Sequence, residues 1–137
     1  MVSRGGDTRP VELSFARSRM EDARTFRLQA SLTAEHIPST SALKAAASSA
    51  ALAAIAAGDA ACAAALRQSW KGEHTESHVL LASVNGGKDA ANALKRIVAF
   101  KTRWQYLEQP VTDAVLTKAL RQADVVIAFA ESVVRAR

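Results

Sequence analysis

Apolar residues recur along this chain at steps of three and four, a spacing that predicts helix almost throughout. From about Pro10 to Thr33 they fall at Leu13, Ala16, Met20, Ala23, Phe26 and Ala30, while Arg17, Arg19, Glu21, Asp22, Arg24 and Arg27 take the other face. His36 to Ser41 breaks the pattern, and its proline and hydroxyls suit a helix start. A second helix then covers Ala42 to Leu66, where 15 of 25 residues are alanine. Alanine is the best helix former and the smallest side chain that still buries, so other helices can pack very closely against this one. Gly58-Asp59 leaves two readings open. Gly58 can end one helix and Asp59 cap the next, or one helix can run through at a cost of about 1 kcal/mol.

Thr75 is placed to cap a short helix over about Glu76 to Val84, and Asn85-Gly86-Gly87 is a turn. The next helix is expected from about Lys88 to Glu108, with a stripe of Ala93, Ile97, Phe100, Trp104 and Leu107. Thr112 with Asp113 opens the last helix, whose inner face carries Leu116, Ala119, Leu120, Ala123, Ile127 and Ala130. No alternating pattern predicts a strand. The expectation is an all-α, up-and-down bundle of four long helices plus one short helix. Residues 1–9 are expected to be a disordered tail and 10–137 a single domain.

Composition narrows this picture. The chain of 137 residues is 49% hydrophobic but only 5% aromatic, so its core must be aliphatic and small-residue packed. The single cysteine, Cys62, cannot form an internal disulfide and reads as a small buried thiol, which fits a reducing cytoplasm. The first residues hold no apolar run of the signal-peptide kind. Ser48, Ser49, Gly58 and Asp59 interrupt the alanine tract, and alanine gains little from lipid, so no membrane association is expected. The tract is apolar round most of its circumference, as a buried helix or the seam of a homodimer would be.

The net charge of +5 permits a polyanionic partner. Lys95 to Tyr106 is the densest basic segment, and aromatics interleave with its cations as in surfaces that hold phosphates and stack bases. Arg96, Lys101, Arg103 and Tyr106 are the candidate contacts. Arg67 and His74 form an Arg-x6-His pair across the exit from the alanine tract. An arginine can hold a developing oxyanion and a histidine can move a proton near neutral pH, so these two are the candidate catalytic residues for RNA cleavage. The competing reading of Arg67 is a helix C-terminal cation that complements the dipole. His74 and His78 share metal-ligand spacing but lack a further partner set, so no metal is expected. No phosphate loop and no nucleophile elbow is present, and no cofactor is implied.

The stretch SSAALAAIAAGDAACAAALRQSWKGEHTESHVLLASV resembles the HEPN superfamily, in which a small-residue helix is followed by a Gly-x-His turn and a short helix. LKRIVAFKTRWQYLEQPVTDAVLTKALRQADVVIAFAESVV resembles the closing part, with a basic-x4-Tyr signature met here by Lys101 and Tyr106. The first helix, VELSFARSRMEDARTFRLQA, fits too. The resemblance implies a cytoplasmic homodimer that binds RNA or a nucleotide, or a ribonuclease, in a toxin–antitoxin or defence system beside a nucleotidyltransferase-like partner. The family's ribonuclease signature is Arg-x4-6-His on the helix before the last. Here Lys101 stands in place of the arginine and no histidine follows, which implies binding without catalysis. A helical interaction module with an incidental basic face is the remaining alternative.

Overall fold

A computed structural model describes residues 8–36, 39–106 and 110–137. Four long helices, α1 (Leu13–His36), α2 (Thr40–Leu66), α4 (Lys88–Tyr106) and α5 (Asp113–Arg135), and the short α3 (His78–Ala82) build an all-α bundle. The helix starts follow local chemistry. Ser39 accepts a hydrogen bond from the Ala42 amide at 3.1 Å, and Thr112 does the same for Val115 at 3.2 Å, each satisfying an amide that the helix leaves unpaired.

α2 is the central element and packs against α1, α3, α4 and α5. From Ala53 to Ala64 every residue except Asp59 is buried within the single chain. That half of the helix is therefore closed off by the chain's own neighbours and has no surface left for a dimer seam. Its composition is also that of a membrane span, but 72% of its most apolar window is buried inside the protein, as in a core helix. The helix runs unbroken through Gly58. A Cβ at that position would stand 3.1 Å from Leu94 Cδ2 and 3.7 Å from Leu81 Cδ2, so glycine lets α3 and α4 come against α2 here.

The expected inner faces match closely. Ala16, Met20, Ala23 and Ala30 of α1, Ala93, Ile97 and Trp104 of α4, and Leu116, Ala119, Ala123, Ile127 and Ala130 of α5 are buried. Phe26, Phe100 and Leu120 are half-buried against them. Leu107 lies outside the described residues.

Two expectations are corrected. Thr8 and Arg9 are not part of a disordered tail. Thr8–Pro10 forms β1, antiparallel to β2 (Gln68–Trp70), with Arg9 opposite Ser69. Arg9 also lies over the Phe15 ring at 5.2 Å, a cation–π contact. Thr75 does not cap a helix. It sits inside a single 3-10 turn, His74–Glu76, and Ser77 donates its hydroxyl to the His74 carbonyl at 2.9 Å, so α3 begins only at His78.

The alanine packing makes a direct prediction. Ala57 is fully buried, so Ala57→Leu should cost about 1–3 kcal/mol by overpacking. Urea melts should show a lower midpoint at unchanged slope. Ala45→Leu, on the exposed side of the same helix, should stay within about 0.5 kcal/mol of wild type.

Candidate functional site

The site begins where α2 ends. Arg67 adopts the left-handed conformation, φ 54° and ψ 34°, and its amide donates to the Ala63 carbonyl at 3.0 Å. Its guanidinium Nη1 donates to the carbonyls of Ala63 and Ala64. Arg67 thus caps the helix and complements its dipole. The turn sends the chain into β2 and then into a loop held by Trp70, whose Nε1 donates to the Glu73 carbonyl at 2.8 Å. Gly72 lies against that ring, where a Cβ would approach Trp70 Nε1 to 3.1 Å.

This loop sets Glu73, His74 and Thr75 against α4. Together with Ile55, Val98, Lys101 and Thr102 they line a groove of about 330 Å³. Two candidates from distant parts of the sequence, His74 and Lys101, meet here, and Arg67 is not among the lining residues. At about 100° per residue, Lys101 lies on the buried arc of α4 between Leu94, Ile97 and Val98. Arg96 and Arg103 lie about 140–160° away from it on the solvent face. Of the expected contacts, Lys101 therefore does not share a face of α4 with Arg96 and Arg103. The side chain of Tyr106 lies outside the described residues.

Behind the groove, Asp59 is the acid placed inside the alanine wall. Arg19 Nε and Nη2 donate to Asp59 Oδ2 at 3.2 and 3.1 Å, and Nη1 donates to Asp22 Oδ2 at 2.9 Å. Burial pushes the Asp59 carboxyl above the ordinary value of 3.8, against the opposing pull of Arg19, His74 and Arg9. Burial, with Asp59 adding to it, pushes the Cys62 thiol up to about 12, so it is not a nucleophile near neutral pH. His78 is half-buried and its Nδ1 has no hydrogen-bond partner among the described residues. Among the described residues no three His, Cys, Asp or Glu side chains come together to hold a metal.

The solvent face of α4 is the second feature. Lys88, Lys95, Arg96 and Arg103 are all exposed along it. α4 carries five lysines and arginines against one aspartate, a net +4 of the chain's +5. No ion pair among the described residues uses an α4 cation. Three of the four arginines of α1, in contrast, are engaged: Arg27 Nε with Asp124 at 2.7 Å, Arg24 with Glu131 at 3.5 Å, and Arg19 as above. At the end of α4, Phe100, Arg103 and Trp104 join Pro110, Val115 and Lys118 around a groove of about 200 Å³. The Phe100 and Trp104 rings stack with centroids 6.3 Å apart. Lys118 had no sequence signal as a site residue, because its place beside Arg103 depends on how α5 packs on α4.

Comparison with family models, with curated proteins and with solved structures finds no match to this chain.

Two measurements test the buried groups. Asp59 holds its proton more tightly folded than unfolded, so its ionisation removes stability as pH rises from 3.8 through the raised value. The unfolding free energy of wild type minus that of Asp59→Asn should therefore be greatest at the acid end of that window and fall as pH rises through it, read from urea melts across pH. Cys62 should resist an aromatic disulfide reagent in native protein and react fully once the chain is unfolded.

Proposed function

We propose that this chain is a HEPN-like protein that binds RNA or a similar polyanion through the solvent face of α4, as a binder rather than a ribonuclease. The observation that carries the reading is the row of four cations, Lys88, Lys95, Arg96 and Arg103, on one exposed helix face, none of them in an ion pair among the described residues. Phosphates neutralised by such a row release counterions, which supplies sequence-independent affinity. Lys88, Lys95, Arg96 and Arg103 would track the backbone, and Lys118 extends the row onto α5 beside the half-buried Phe100. An aromatic at the end of a basic track is the arrangement that stacks a base.

Binding without cleavage is supported by Arg67. Its guanidinium is turned onto carbonyls of its own helix, and it does not line the groove that holds His74. A place in a toxin–antitoxin or defence system, beside a nucleotidyltransferase-like partner, belongs to the same proposal and rests on the HEPN resemblance alone.

Titration of labelled single-stranded RNA at stepped salt tests this. The logarithm of the binding constant should fall linearly with the logarithm of salt, and Arg96→Ala and Arg103→Ala should each weaken binding and flatten the slope by about 0.7. The RNA should remain intact. No binding at low salt, or slopes unchanged in both variants, would overturn the reading.

A further inference from the structure

Residues 68–77, between the end of α2 and the start of α3, are attached to the bundle differently from the helices on either side. Residues 71–76 are all exposed, and only Ser69 and Ser77 of the segment are buried. Hydrogen bonds fasten it at three points. At one end β2 pairs with β1, and the Val11 amide donates to the Arg67 carbonyl at 3.0 Å. In the middle the Trp70 ring donates to the Glu73 carbonyl at 2.8 Å. At the other end the Ser77 amide and hydroxyl both donate to the His74 carbonyl, at 3.2 and 2.9 Å. The chain enters the segment through Arg67, the one non-glycine residue with a positive φ among those described, so strain is stored at its hinge.

The segment also covers something. Glu73, His74 and Thr75 lie along the groove whose floor is Ile55 and Val98, and both floor residues are buried although they stand at the seam between α2 and α4. β1, which closes the far end, is tied to a small core distinct from the main one. There Val11, Leu13 and Phe15 pack on Ala16, Ala63 and Ala64, and Arg9 lies over the Phe15 ring. A satellite of this size can loosen while the main core stays packed.

We propose that residues 68–77 are a lid over the α2–α4 seam, that β1 is its catch, and that lid and catch open together while the helices stay folded. β2 belongs to both parts. When β1 lifts away, β2 loses its strand partner, and Trp70, its last residue, no longer holds the Glu73 carbonyl. The turn then swings on Arg67 and Ser77, and Ile55 and Val98 meet solvent. Arg9 of β1 and His74 of the turn both act on Asp59, so lid and catch close over the same carboxylate. The lid faces the Lys101 side of α4, so its opening does not depend on what Arg96 and Arg103 hold on the other side.

Amide hydrogen exchange of the intact chain, read residue by residue by NMR in increasing sub-denaturing urea, tests this. The β1–β2 ladder amides, Val11 and Ser77 should share one opening equilibrium and exchange about a hundredfold or more faster than the central amides of α2 and α5. That equilibrium should depend little on urea, because the opening exposes little surface. Arg9→Ala removes the cation over Phe15, and Trp70→Phe keeps a ring but removes the donor to Glu73. Each should speed all of these amides by one common factor, about two- to tenfold. Cys62→Ala/Val98→Cys carries a single thiol under the lid, and adding Arg9→Ala should quicken its labelling by an aromatic disulfide reagent by the same factor. Effects confined to one end, with Arg9→Ala felt only in the ladder and Trp70→Phe only at Ser77, would overturn the joint opening. Exchange of these amides only as slowly as the central helix amides, or a thiol at position 98 that reacts only when the helices unfold, would overturn the lid.

Discussion

The fold depends on how closely other helices can approach α2. Alanine at most positions from Ala42 to Leu66 leaves few side chains long enough to hold a neighbour away, so α1, α4 and α5 can pack closely on α2. Dispersion between closely spaced atoms then replaces the large apolar surfaces that an aromatic core would bury. A core of this kind has little slack. Volume added to it has nowhere to go, and the one carboxylate in its wall, Asp59, is tolerated because Arg19 reaches across from α1 to meet it.

That packing also places the chemistry. Gly58 allows Leu94 to approach α2, which fixes the rotation of α4. Once that rotation is set, the apolar arc of α4 faces inward, and Lys101 at its far end meets the turn that carries His74. Lys88, Lys95, Arg96 and Arg103 are left on the solvent side. One helix therefore carries cations on two sides, a row of four on the solvent side and Lys101 beside the His74 turn.

Much of this was legible in the chain because helices carry their own period. The inner faces of α1, α4 and α5, and the caps at Ser39 and Thr112, follow from spacing and from hydroxyls placed before apolar runs. The β1–β2 pair was not legible. Three-residue strands have too few positions to show alternation, and Arg9 meets Ser69 only because the left-handed turn at Arg67 brings the chain back. The opposition of Lys101 and Arg103 was implicit in the helical period, but their different companions were not. His74 and Lys118 reach them through tertiary packing, which local pattern does not encode. The uninterrupted course of α2 through Gly58 is decided likewise by Leu94 and Leu81, residues far away in sequence.

The most direct test of the central claim, that α4's charge is the working surface of the molecule, is a map of backbone amide shifts on adding a short oligouridylate at low salt. Shifts should concentrate on the exposed positions from Lys88 to Arg103 and on Lys118, and should collapse as salt is raised. Shifts confined to α1 and the far face of α5, or none at any salt, would contradict it.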